Sequence, residues 1–211
     1  MIDQHTFLPY YAPFLTTSAY TNARTWMTGS TEAGVRVRCG ACTNRVRPPK
    51  YFRSCPECGR ENRKKFGETY WHRLFQLPGV EVCPIHEVFL EPSDVRLDPL
   101  SNRHKYFSAE TARLVTKAHP VSSKISTHTI LLNLARRFEW LLQQERLNPG
   151  LEFLHQRYQS LLTERNFATR AGSIRMADVR QEVVRFYDTE LLQLLQCALP
   201  VGTGDGWLGH L

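Results

Sequence analysis

Three short residue pairs in the first half of the chain have the spacing of metal ligands: Cys39-x-x-Cys42, Cys55-x-x-Cys58 and Cys83-x-x-His86. Thiolates and imidazoles at this spacing suit zinc, because two residues on one tight turn can aim both donor atoms at a single tetrahedral ion. A second pair from a distant segment then completes the site and closes a loop that burial alone would not hold. Spacing leaves two pairings open. Cys55/Cys58 with Cys83/His86 would enclose Tyr70-Trp71 and the turn Leu77-Pro78-Gly79, with a proline after both Cys55 and Cys83 to stiffen the turns. Cys39/Cys42 with Cys55/Cys58 would leave Cys83 and His86 for a second ion or for none.

The chemistry expected of such a site is structural. A four-ligand Cys3His centre has no open position for water. No His-x-Glu accompanies the cysteine pairs, and Ser54 rather than proline precedes Cys55, so the zinc-deaminase signature is absent. His86-Glu87 continues Val-Phe-Leu and is no His-Glu-x-x-His protease motif. Neither a phosphate-cradling glycine loop nor a serine nucleophile elbow occurs. His72, between Trp71 and Arg73, reads as a hydrogen-bonded core histidine rather than a base, and Cys197 as a buried core thiol. The chain is therefore read as a binding protein and not an enzyme.

Its charge says what it would bind. Between Arg36 and Lys65, ten basic residues face only Glu57 and Glu61, more than the whole net charge of +7. A basic patch of this kind calls for a polyanion, most commonly nucleic acid. The candidate contacts are Arg36, Arg38, Arg45, Arg47, Lys50, Arg53, Arg63, Lys64 and Lys65, with a distal set of Arg170, Arg175, Arg180, Gln181 and Arg185. No apolar run is long enough for a membrane span, and the start Met1-Ile-Asp-Gln-His5 lacks a signal peptide's basic and apolar regions. A cytoplasmic setting follows, and there close cysteine pairs favour metal over disulfides.

The elements that must position these groups are mostly helical. Residues 1–25, rich in aromatics and proline, read as the entry segment of a truncated region, and 26–104 as the zinc-binding module. Residues 105–211 read as a helical region with helix-turn-helix-like units. Within it, Ser108 and Glu110 suggest a helix start, and a longer helix begins at Ser126 or Thr127, with Leu131, Leu134, Phe138, Leu141 and Leu142 as its core stripe. Asn148-Pro149 opens the next, whose stripe of Leu151, Leu154, Tyr158, Leu161 and Leu162 is expected in the core. Two short helices follow, near Ala177–Tyr187 and, opened by Asp188, over Leu191–Leu195.

Several stretches together carry a resemblance. They are Ser54-Cys-Pro-Glu-Cys58, Phe66-Gly-Glu-Thr-Tyr-Trp71-His-Arg73, Gln76-Leu-Pro-Gly-Val80 and Cys83-Pro-Ile-His86, with His5-Thr-Phe-Leu-Pro9 before them and Leu191 to Cys197 and Trp207-Leu208 after. This set resembles the TniQ/TnsD family, the target-site selectors of Tn-seven-like transposons, and is closest to its TnsD type. The resemblance implies that Cys55, Cys58, Cys83 and His86 hold a structural zinc. It leaves Cys39 and Cys42 as core thiols or ligands of a second metal. It also implies a bacterial, nucleoid-associated protein that binds double-stranded target DNA and recruits an AAA+ ATPase of the TnsC type. The alternative within the family is a TniQ-type adaptor that bridges an RNA-guided CRISPR effector to that ATPase. Relatives carry segments beyond both ends of this sequence, so the chain is expected to be truncated at both.

Overall fold

The computed structural model describes residues 1–29, 46, 48–97, 105–144, 150–169 and 171–199. Among the described residues there are eight α-helices and one two-stranded sheet, consistent with the mostly helical class expected. The chain divides into two compact units: Arg47–Leu142, and Met1–Val46 together with Gln143–Leu211.

The second of these units begins with α1 (Ile2–His5), α2 (Leu8–Tyr11) and α3 (Thr17–Thr28). The Thr16 hydroxyl accepts the Ala19 N–H at 3.2 Å and so caps α3. Leu8, Leu15 and Ala23 are buried together, with Ile2, Tyr11, Tyr20 and Met27 around them.

The unit 47–142 is built on the antiparallel pair β1 (Tyr51–Ser54) and β2 (Glu91–Arg96), with Arg53 opposite Pro92 and Ser54 opposite Glu91. Ser93 and Val95 of β2 point inward while Pro92, Asp94 and Arg96 point out, the period of two that a half-covered strand requires. Helix α4 (Pro56–Phe66) follows β1 directly, with Pro56 in its first turn. It stops at Gly67, whose φ of +84° lets its N–H reach the Arg63 carbonyl. Arg63, Lys64 and Lys65 occupy its last turn, where the helix dipole favours positive charge. Leu77, Val80, Val82 and Cys83 are fully buried, so the chain between α4 and β2 forms the core of the unit.

Helix α5 (Ser126–Gln143) starts where the periodicity placed it, and buries Thr127, Leu131, Ala135 and Leu142. The start suggested at Ser108 yields a turn instead. The Ser108 hydroxyl accepts the Glu110 N–H, and the Glu110 carboxylate is drawn to Arg63 and the Thr69 N–H. The third residue after Ser108 is Thr111, so no Glu or Gln reaches back to complete a capping box.

Helix α6 (Leu151–Glu164) begins after Gly150; Asn148 and Pro149 lie outside the described residues. Its stripe corrects the sequence reading, for α6 buries no residue and Leu151 and Tyr158 are about half exposed. Periodicity reports that a helix is amphipathic, and not that a second surface covers it. Helices α7 (Met176–Tyr187) and α8 (Thr189–Leu194) match the expected pair, and Asp188 caps α8 by accepting the Leu191 N–H at 2.8 Å. Leu191, Leu192, Leu195 and Cys197 are buried, which places Cys197 as the core thiol expected.

Candidate metal centre and its basic surroundings

Two local structures bring four donor atoms to one point. Cys55 is the N-cap of α4, and its Sγ accepts the Cys58 N–H at 3.5 Å. Cys83 and His86 sit on a tight turn in which the His86 N–H points at the Cys83 Sγ, also at 3.5 Å. That turn is closed by Cys83 N–H to the Val88 carbonyl and Glu87 N–H to the Cys83 carbonyl. Each pair thus aims one backbone N–H at a sulfur, a contact that would become charge-assisted on a metal-bound thiolate.

Across the pairs, Cys58 Sγ lies 3.7 Å from Cys83 Sγ. His86 Nδ1 is 3.6, 3.3 and 3.7 Å from the sulfurs of Cys55, Cys58 and Cys83. A tetrahedral zinc with bonds of about 2.3 Å to sulfur and about 2.0 Å to nitrogen has edges of roughly 3.5–3.8 Å. These four groups could therefore hold a metal ion, and both the donor set and its dimensions fit zinc. All three sulfurs are buried. The Cys58 and Cys83 thiols hydrogen-bond to Cys55 and hold its pKa far below the ordinary thiol value, and the same contacts raise their own. Ligation of a metal would expel those retained protons.

The second nitrogen of His86 is also engaged. Nε2 lies 3.2 Å from a Glu61 carboxylate oxygen. Burial disfavours a charged His86 ring, yet the Glu61 hydrogen bond and the Cys55 thiolate outweigh it and raise its pKa. A carboxylate on the far nitrogen fixes which nitrogen faces a metal and strengthens it as a donor. Glu61→Ala is therefore expected to weaken metal binding about 10- to 100-fold, read by competition with a chromophoric chelator. Glu61→Gln, which keeps the acceptor, should lose less, and equal losses for the two would contradict this role. Glu61 was not singled out in the sequence, although it lies three residues after Cys58 on the same face of α4.

His72 is a core histidine as read. Asn62 Nδ2 meets its Nε2 at 2.9 Å, its ring stacks between Tyr70 and Phe75, and burial lowers its pKa.

The basic residues divide into several groups. Cys39, Cys42, Arg36, Arg38, Arg45, Arg47 and Arg170 lie outside the described residues. Lys50, Lys64 and Lys65 are exposed. Arg63 is exposed but ion-paired with Glu110 at 3.0 Å. On α7 and its start, Arg175 and Gln181 are exposed, Arg185 is paired with Glu182, and Arg180 is half-buried.

Arg53 requires a correction, because it is 7% exposed and points inward. Its guanidinium donates to the carbonyls of Phe75 and Leu77 and pairs with Glu81, and burial keeps it from being presented to a phosphate. No described helix is long and apolar enough to cross a membrane.

Comparison with known proteins adds three findings. Residues 1–90 match the family model TniQ. Residues 134–211 match the model of Tn7-like transposition protein D. The transposon Tn7 transposition protein TnsD of Escherichia coli is 27% identical over 208 residues, which is 99% of this chain. The chain spans 40% of that relative's length.

Proposed function

Because the chain belongs to the TniQ/TnsD family, we propose that it is a transposition target-site selector that binds double-stranded target DNA and recruits an AAA+ ATPase of the TnsC type. In this reading Cys55, Cys58, Cys83 and His86 hold a structural zinc that keeps the basic module in shape. Phosphate contacts come from Lys50, Lys64 and Lys65, and base readout comes from the helical region with Arg175, Arg180, Gln181 and Arg185. The protein itself breaks and forms no bonds; its work is recognition. The observation that supports this most is the preformed Cys3His cluster at the start of a helix whose last turn carries exposed lysines.

An electrophoretic mobility series over random and attachment-site duplexes tests it. Affinity is expected to fall linearly with salt on logarithmic axes, with a slope of about −0.9 per phosphate neutralised. The double substitution Lys64→Ala/Lys65→Ala should make that slope shallower by about 2 and weaken binding alike on all sequences. Absence of salt-dependent binding to every duplex would sink the reading.

The match of residues 1–90 to the TniQ model supports the second reading, an adaptor between an RNA-guided effector and the ATPase. Copurification with such an effector, without binding to free DNA, is the result it requires.

A further inference from the structure

Beside the last turn of α4 a row of four aromatic rings runs from the core to the surface. Phe75 is buried, and His72 stacks on it with ring centroids 4.8 Å apart. Tyr70 stacks on His72 at 4.6 Å with the planes 19° apart, and Phe66 meets Tyr70 edge-on at 6.2 Å. The hydrogen bond from Asn62 pins the His72 ring. The row ends in the open, with Phe66 56% and Tyr70 48% exposed. The outer rings are thus held on a rigid base while their apolar surface stays in water.

The charge beside them is positive. Lys65 Nζ lies 5.0 Å from the centre of the Phe66 ring. Lys64 and Lys65 appear in none of the described ion pairs, whereas Arg60 and Arg63 are occupied by Glu57 and Glu110. Of the nearby acids, Glu61 is turned to His86, which leaves Glu68. A fixed aromatic face flanked by two exposed lysines against one remaining exposed carboxylate, Glu68, matches a nucleotide better than an apolar peptide. A base has a π-face to stack on the ring and a phosphate to meet the ammonium groups.

We propose that Phe66 and Tyr70 form a stacking ledge for an unpaired nucleobase, with Lys64 and Lys65 holding the flanking phosphates. The bases of a perfect duplex have their faces covered, so the ledge selects nucleic acid in which a base is unstacked: a single strand, a gap or a distorted duplex. This rests on the DNA-binding reading and adds to it the form of DNA preferred.

The test uses fluorescence anisotropy with the full chain and three oligonucleotides of one sequence. They are a perfect duplex, a duplex with a three-nucleotide gap opposite thymines, and the same gapped duplex with abasic sites in place of the thymines. Stacking of one base is worth about 1–3 kcal/mol, or roughly fivefold and upward in affinity. The wild type should prefer the gapped duplex with bases over both others by at least about fivefold. Tyr70→Ala should abolish that preference and leave perfect-duplex binding intact, while Tyr70→Phe retains it. A 2-aminopurine placed in the gap should be quenched by the wild type and not by Tyr70→Ala. Equal affinity of the wild type for the gapped and abasic duplexes overturns the ledge, whatever the variants do, and leaves the ring row as a protein-docking surface. Absence of binding to all three would instead remove the DNA-binding reading itself.

Discussion

Chelation of the metal, or the single substitution Cys83→Ser, is expected to unfold most of residues 47–142. Among the described residues the sheet of this unit has two strands, and Leu77, Val80 and Val82, which are fully buried, lie between the two ligand pairs. Zinc contributes roughly 10–16 kcal/mol to small modules of this kind. That matches or exceeds the whole stability of an ordinary domain, about 5–15 kcal/mol. Metal content by a colorimetric assay and limited proteolysis before and after chelation give the readout. Cys55→Ser should behave as Cys83→Ser does, and Cys39→Ser should keep the metal. A Cys83→Ser protein that holds one metal per chain and resists protease would refute the ligand assignment, as would loss of metal from Cys39→Ser.

The second large effect is expected at Arg53. Its Nε and one terminal nitrogen donate to the Phe75 and Leu77 carbonyls at 2.8 and 2.9 Å, and its other terminal nitrogen meets Glu81 at 3.0 Å. Burial lowers its pKa, and Glu81 opposes that shift. Gln76 completes the arrangement: its oxygen accepts the Arg53 N–H, and its amide donates to the carbonyls of Arg53 and His72. Arg53→Met fills the volume but leaves two carbonyls and part of a carboxylate without partners. Glu81, 31% exposed, can turn to water, but each buried carbonyl left unpaired costs about 1–3 kcal/mol. Arg53→Lys should recover only part of this, since one ammonium cannot reach three acceptors held apart. With the metal kept saturating, hydrogen exchange of the amides of 74–82 measures the loss. Protection that survives Arg53→Met unchanged would show that the carbonyls find other donors. The same experiment separates Arg53 from a phosphate contact, because fold rather than salt-dependent affinity should change.

These residues also show what could be read without coordinates. The Cys-Pro-x-Cys and Cys-Pro-x-His spacings are local, and local geometry is what a short motif encodes, so each pair was legible by itself; spacing left two pairings open, and only the family resemblance implied that these four donors meet. The start of α5 and the cap at Asp188 were legible for the same reason. Arg53 was not: a lone arginine in a basic run looks like surface, and only the arrival of Phe75, Leu77 and Glu81 more than twenty residues later shows its role. Glu110 and the stripe of α6 repeat the lesson in opposite directions. The first finds distant partners in Arg63 and Thr69 that sequence did not announce. The second presents an apolar face that no buried residue of the helix satisfies.

The arrangement of the two units along the chain has a consequence for synthesis. One unit is contiguous, Arg47–Leu142, and is inserted within the other, whose parts are Met1–Val46 and Gln143–Leu211. Domains fold as units while the chain emerges, N-terminal first. Here that order is broken, because helices α1 to α3 must wait for a segment translated after the inserted unit. By the time Leu142 leaves the ribosome, Cys55 to His86 have all been exposed and could take up an ion. Helices α1 to α3 meanwhile remain half a structure. An ion held by these four residues would therefore close the inserted unit before the outer one has its later segment.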